Sequence, residues 1–391
     1  MGQPAGSAEA PSQAGGTPAD LVRLLSPEGD RATEGQFASL VADVGVDGMR
    51  DRYRDLVLCR RFDDEATALQ RQGELGLWAS MRGQEGAQIG SGRALCPQDH
   101  VFPTYREHAV AYLRGVPFEA ILSLYRGCDY GAWRPADHGF SLYTLVIGAH
   151  SLHAAGFAMG VQRDGAVGTG DPERDTAVVA YVGDGAMSQG DVNETLVFAA
   201  SFQAPLVMFC QNNQWAISVP ASRQSRIPLY RRADGFGVPG IRVDGNDVLA
   251  VEAVTRSALD RARSGGGPTL VEAFTYRMAA HTTSDDAGRY RPDHEREHWA
   301  RLDPILRVRT WLEFQGAADP DWLAAVESEA GDLASDVRRR CRELADPSGE
   351  WMFDHVYGAS HDPLDAERRA FRNYRDGTPD PAVLEALGGA R

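Results

Sequence analysis

Thr176-Ala177-Val178-Val179-Ala180-Tyr181-Val182-Gly183-Asp184-Gly185 decides the fold: an apolar run of strand length, rich in β-branched residues, that stops at a Gly-Asp-Gly turn. It reads as a buried parallel strand. Beyond it Val192, Leu196, Val197, Ala199 and Ala200 recur at helical spacing, and Pro205-Leu206-Val207-Met208-Phe209-Cys210 supplies a second apolar strand that runs into Asn212-Asn213. The unit is strand, turn, helix, strand. Crossovers join parallel strands with one hand, so both motifs are expected at the carboxyl ends of neighbouring strands, where open α/β sheets bind ligands.

Gly183 and Gly185 are expected to allow positive φ and to let a diphosphate approach the backbone, with amides near Ala186 facing its oxygens. Asp184 offers a hard carboxylate and Asn213 a neutral amide oxygen. Magnesium takes about six oxygens at roughly 2.1 Å, often from one or two carboxylates plus ligand phosphates, and this set suits it. Either motif alone is ordinary turn punctuation. Their spacing by one crossover assigns them to one site.

That pair resembles the thiamine diphosphate signature, a Gly-Asp-Gly followed by Asn-Asn, with residues 186 to 211 intervening here. From Asp51 to about Tyr357 the chain resembles the alpha subunit of the decarboxylating first component of a 2-oxo acid dehydrogenase complex. The likeness is carried by Leu69-Gln70-Arg71-Gln72-Gly73, Gly83-Gln84-Glu85-Gly86, Thr104-Tyr105-Arg106-Glu107, Gln211-Asn212-Asn213-Gln214-Trp215-Ala216-Ile217-Ser218 and His281-Thr282-Thr283-Ser284-Asp285-Asp286.

The resemblance implies an α/β thiamine diphosphate-binding fold, a mostly parallel sheet flanked by helices with N-terminal and C-terminal helical extensions. It implies magnesium held by Asp184, Asn213 and Trp215, and coenzyme held by Tyr105, Arg106, Ile147, Asp184, Gly185, Ala186, Asn213 and His281. A guanidinium fork at Arg106 suits phosphate oxygens. His281 falls where the family histidine acts as proton donor or transition-state stabiliser beside the coenzyme, and imidazole exchanges protons near neutral pH. It opens a polar stretch, Thr282 to Arg291, suited to a lid. In animal relatives the hydroxyl residue after this histidine, Thr282 here, is a regulatory phosphorylation site.

Departures from the family pattern are visible. Gln211 stands where animal branched-chain enzymes have an arginine on the diphosphate, and Ala280 replaces the His or Pro common before the active histidine. Val146-Ile147-Gly148-Ala149-His150-Ser151 lacks the family's potassium-binding pattern, which puts a potassium site in doubt, while backbone around Ile147 is expected to meet the pyrimidine ring. His138, His150 and His153 are each open between pocket and core. Asp244-Gly245-Asn246-Asp247 reads as a turn and an N-cap rather than a metal site.

Mechanistically the resemblance implies a coenzyme that acts as electron sink for decarboxylation of a 2-oxo acid, followed by acyl transfer to a lipoyl group. The family's N1′ glutamate belongs to a second α/β domain. One such domain with flanking helices exhausts this chain at about 150 to 200 residues per domain, so the glutamate is expected from a beta subunit in an α2β2 assembly that works with a lipoyl-bearing acyltransferase core. Leu69-Gln70-Arg71-Gln72-Gly73 and Leu75-Gly76-Leu77-Trp78 resemble branched-chain enzymes more than pyruvate ones, and these apolar residues are open between substrate pocket and core. The expected substrates are branched-chain 2-oxo acids, with pyruvate or acetoin next.

Composition bounds the rest. A chain of 391 residues, 43% hydrophobic and 24% charged, buries a large α/β core without staples. Its five cysteines have no CxxC spacing, so neither a disulfide framework nor a zinc site is implied. A net charge of −15 disfavours nucleic acid and anionic membrane as partners. No apolar run approaches the roughly 18 residues of a membrane span, and Met1-Gly2-Gln3-Pro4-Ala5-Gly6 lacks a signal pattern, so a cytoplasmic location is expected. A nicotinamide enzyme would need GxGxxG after a strand, which Gly183-Asp184-Gly185 lacks. A silent scaffold would have lost Asp184, Asn213, Arg106 and His281. The expected layout is a disordered tail and linker over 1–45, a helical segment over 46–83, the coenzyme-binding α/β domain over 84–300 and a helical region over 301–391.

Overall fold

Alternate side chains of residues 178–183 enter two different helical layers, and that division builds the sheet. The computed structural model describes residues 20–129 and 131–377. Five strands, β1 (His100–Phe102), β2 (Val178–Gly183), β3 (Leu206–Asn212), β4 (Gly240–Asp244) and β5 (Thr269–Phe274), form one sheet in the order β1-β2-β3-β5-β4, every pair parallel. This is the α/β architecture that the sequence predicts. Gly183 is in register with Gln211, so the Gly-Asp-Gly and Asn-Asn turns leave the sheet side by side.

The main helices are α1 (Val46–Arg71), α2 (Glu85–Arg93), α3 (Ala149–Arg163), α4 (Gly190–Phe202), α5 (Val248–Arg263), α6 (Pro304–Phe314), α7 (Pro320–Glu343) and α8 (Asp362–Gly377). On one face Val178, Ala180 and Leu206 pack with Ala154, Ala155 and Ala158 of α3 and Ala199 of α4. On the other, Val179, Tyr181, Phe209 and Val271 enter the main core with α1, α2 and α5. Helices α2 and α5 touch closely because residue 90 is glycine: a Cβ there would lie 2.5 Å from the Val248 carbonyl.

Helix α1 begins where the expected helical segment does and is enclosed by its neighbours, packed by α2, α6 and α7. Ion pairs in which its own charged group is buried join it to its neighbours. Arg52 binds Glu252 of α5 through two bonds of 2.7 and 2.6 Å, Asp55 takes Arg93 of α2 at 2.7 Å, and Glu65 takes Arg338 of α7 at 2.7 and 2.9 Å. All 40 basic side chains of the protein are arginines, and the sequence contains no lysine.

The expected segment boundaries differ from the packing. Residues 1–19 of the expected tail and linker lie outside the described residues, but Asp20 to Gly45 is docked chain. Val22 bridges Val243 beside β4, the amides of Leu24 and Leu25 both donate to Asp247, and Leu25, Val41 and Val44 are buried. Its scattered apolar residues have no period, so they read as linker until a partner surface is known. Residues 46–83, α6 and α7 share the core of the sheet, and the chain divides instead at Glu343, with Leu344 onward a second unit. In that second unit Phe353 packs on Phe371 of α8, with ring centroids 5.6 Å apart, and Arg368 of α8 pairs with Asp354 at 2.7 Å. Among the described residues no helix is long and apolar enough to cross a membrane.

Candidate functional site

Where β2 and β3 end, the chain turns away from the sheet and leaves a cavity of about 250 Å³. Every residue assigned to coenzyme or metal from the sequence lines it: Tyr105, Arg106, Ile147, Asp184, Gly185, Ala186, Asn213, Trp215 and His281. Gln84, Glu107, His150, Gln211 and Gln224 add polar groups to the wall.

Asp184 is buried, its carboxylate accepts from the Gln224 amide at 3.3 Å, and it lines the cavity together with Asn213. The two motifs therefore converge. Burial pushes the Asp184 carboxyl up to about 6, against the pull of its own backbone N–H and of the Arg277 guanidinium. A carboxylate in that state favours an arriving cation. Asn213 donates to Gln84 Oε1 at 3.0 Å and accepts from Trp215 N at 3.2 Å, which fixes its amide plane. The Trp215 carbonyl accepts from Arg277 at 2.8 Å and keeps one lone pair.

The glycines act differently from expectation. Neither Gly183 nor Gly185 has positive φ, and Gly185 is helical at −62°. Space is the reason at residue 185: a Cβ there would meet the Ala216 side chain at 2.8 Å.

His281 is held by its backbone, with N donating to Asp285 Oδ2 at 2.7 Å and O accepting from Arg106 at 2.8 Å. Its Nδ1 faces Arg277 at 3.3 Å and Arg106 at 3.4 Å, while Nε2 lies 3.5 Å from the Tyr105 hydroxyl. Two guanidinium donors around Nδ1 make that atom the acceptor and leave the proton on Nε2. Burial first, then Arg106 and Arg277, lower the imidazole to about 4, so it is neutral at pH 7. The following polar stretch is tied down: Tyr290 donates to Asp285, and Arg291 reaches the carbonyls of Ala279 at 2.9 Å and Met278 at 3.0 Å.

Arg277 is the residue that sequence reasoning missed. Its side chain is fully buried and touches Trp215 O, Ile217 O at 2.8 Å, the Tyr290 hydroxyl at 3.0 Å and His281. The available signal was its place, a basic residue just past the apolar strand 269–274 and four before His281. Gln211 takes a neutral part, donating to Glu107 Oε1 at 2.6 Å and accepting from Gln88 at 3.2 Å. Burial raises the Glu107 carboxyl, whose other oxygen accepts from Thr104 N and Oγ1, both at 2.6 Å.

Other readings resolve plainly. His150 is buried against Tyr181 O and lines the cavity, His138 meets Arg114 O at 3.1 Å away from it, and His153 is exposed. Asp247 caps α5, accepting from Leu249 N at 3.1 Å and Ala250 N at 2.9 Å. Leu69, Leu75 and Trp78 are core, with Trp78 stacked on His108 at 4.4 Å, so they form no substrate wall.

Comparison with known proteins agrees with this geometry. Residues 53–343 match the family described as "Dehydrogenase E1 component". The chain is 42% identical over 352 residues to the 3-methyl-2-oxobutanoate dehydrogenase subunit alpha of Mycobacterium tuberculosis, covering 90% of this chain and 93% of that one. It is 37% identical over 329 residues to the pyruvate dehydrogenase E1 component subunit alpha of Acholeplasma laidlawii, covering 83% and 93%. The Staphylococcus aureus protein of that name is 36% identical over 327 residues, covering 83% and 84%. With the match spanning most of the sheet unit and the cavity within it, the chain belongs to the dehydrogenase E1 component family.

Proposed function

We propose that the chain is the alpha subunit of a branched-chain 2-oxo acid dehydrogenase decarboxylase component, dependent on thiamine diphosphate and magnesium, which passes its acyl product to lipoyl groups of an acyltransferase core. The observation that carries this reading is the convergence of Asp184, Asn213, Arg106 and His281 on one cavity, with Arg277 in contact with His281. Thiamine diphosphate, when bound, supplies the electron sink for loss of carbon dioxide from a 2-oxo acid.

The donor set fits a magnesium diphosphate. Among the described residues no cluster of three or more His, Cys, Asp or Glu side chains is suited to a metal, so an ion at Asp184 draws its other ligands from Asn213, the Trp215 carbonyl, phosphate oxygens and water. Arg106, which lines the cavity, would supply positive charge to the diphosphate. The Nε2 of Gln84 is buried with no partner and is a donor in reserve for the ligand. His281, neutral, carries its proton on Nε2 beside the Tyr105 hydroxyl in the cavity wall, where it would be available to a bound substrate.

Among the described residues, neither carboxylate that lines the cavity is free for the coenzyme's N1′. Glu107 is committed to Thr104 and Gln211, and Asp184 belongs to the metal. That glutamate is assigned to a beta subunit of an α2β2 assembly, and exposed Leu145, Val146, Ile147 and Ile217 beside the cavity suit such a partner. Substrate class rests on the 42% relative, whose name specifies 3-methyl-2-oxobutanoate. Pyruvate is the second reading, supported by the relatives at 37% and 36%.

Co-expression with the beta subunit, followed by thiamine diphosphate-dependent turnover of 3-methyl-2-oxobutanoate against pyruvate, tests the function. The expected result is preferential use of the branched substrate, abolished in Asp184→Ala. Preference for pyruvate overturns the substrate class alone, and no turnover of either or of acetoin overturns the enzyme reading.

A further inference from the structure

We infer that Asp63, on α1 and outside the cavity lining, is a positioning residue: its buried carboxylate fixes the loop 78–83, and that loop holds both Arg106 and the segment bearing His281. The inference rests on the coenzyme reading above and adds the device that keeps the coenzyme's contacts in register.

The loop has no regular structure of its own, so its geometry needs anchors. One carboxylate supplies three. Asp63 Oδ1 accepts from Trp78 Nε1 and from Met81 N, both at 3.0 Å, and Oδ2 accepts from Ser80 Oγ at 2.6 Å. Asp63, Trp78 and Ser80 are all buried, and charge-assisted bonds in a dry setting are the strong kind.

The anchored loop then faces the site with its backbone. Ser80 O accepts from Arg106 Nη1, and Ala79 O meets His108 Nε2 at 2.9 Å. On the far side the loop pairs with the His281 segment. Trp78 O accepts from Thr283 N and Trp78 N donates to Thr283 Oγ1, both at 3.0 Å, while Arg82 O accepts from Met278 N at 3.0 Å. Trp78, Ser80 and Arg82 of the loop thus hold both ends of the 278–283 segment and one arm of Arg106. Loss of the Asp63 anchor frees them together, whereas loss of an equally buried carboxylate elsewhere on α1 does not. Asp55 is that comparison: it is buried and binds Arg93 and Tyr112, away from the loop.

The test uses the assembled component and three variants, Asp63→Ala, Asp63→Asn and Asp55→Ala. Thiamine diphosphate affinity is read by titration with magnesium, thermal midpoint by calorimetry, and amide exchange at Met278 and Thr283 in coenzyme-free protein. Asp63→Ala is expected to weaken coenzyme binding by about ten- to a hundredfold, the size of other outer-shell losses, and to speed exchange at both amides. Asp63→Asn, which keeps the shape, recovers part of both. Asp55→Ala lowers the thermal midpoint with affinity and exchange unchanged. If Asp63→Ala exchanges and binds as wild type does, whether or not its midpoint falls as that of Asp55→Ala does, the positioning role is overturned. If wild type takes up no coenzyme, the functional reading falls, while the exchange measurement still decides the clamp.

Discussion

A single buried carboxyl sets how this site answers pH. Without metal, Asp184 keeps its proton to about pH 6, above the roughly 4 of an unfolded chain. Its contribution to stability is therefore fully present below about pH 4 and is lost as pH rises through about 6. Magnesium binds only the ionised form, so affinity for magnesium and thiamine diphosphate is expected to fall about tenfold per pH unit below pH 6. Calorimetry in buffers of different ionisation enthalpy will detect the released proton. His281, lowered to about 4, stays largely neutral in the folded protein over this window and takes no part in the metal-linked proton release, but its own contribution to stability is lost as pH falls below the 6.5 of a free imidazole, opposite in sign to that of Asp184. Arg277 gives a second prediction at this scale. Arg277→Lys keeps one charge but cannot reach Trp215 O, Ile217 O, Tyr290 and His281 together. Turnover is expected to fall about a hundredfold from misplacement of the histidine, with the thermal midpoint as the control. Arg277 was overlooked because its place past a strand end and four before His281 is a faint signal, and burial and convergence are what mark it. Asp184, Asn213 and His281 were legible because each sits beside a recognisable strand end or motif.

Strand β2 and helix α4 were readable from periodicity, since their side chains face uniform layers. The arm over residues 20–45 was not, because it has one-sided contacts and no repeat, and its order comes from Asp247. That carboxylate accepts four amides, two from the first turn of α5 and two from Leu24 and Leu25. Its removal uncaps a helix, at about 1 kcal/mol, and strands buried amides at about 1–3 kcal/mol each. Asp247→Ala is expected to lower stability by about 3 kcal/mol or more, with denaturant unfolding as the measure and faster exchange at Leu24 and Leu25 as the local sign. Helix α1 shows the opposite limit. Its start was plain, but its depth was hidden, because Arg52, Asp55, Asp63 and Glu65 interrupt the apolar stripe and are buried in spite of their charge.

The chain as a whole carries an unfinished surface. Val146, Ile147 and Ile217 are 70%, 43% and 54% exposed beside the cavity, more apolar area than water favours at one place. Val146→Asp is expected to leave the thermal midpoint of the chain unchanged and to reduce co-purification of the beta subunit. Equal recovery of the pair would remove this face from the association.

The absence of lysine has a chemical consequence. Guanidinium groups stay protonated across the whole working range and are poor nucleophiles. A catalyst surrounded by electrophilic carbonyl metabolites and activated thioesters thus presents no side-chain amine to be captured as an imine or amide. Its ionic scaffold is inert toward the compounds it handles.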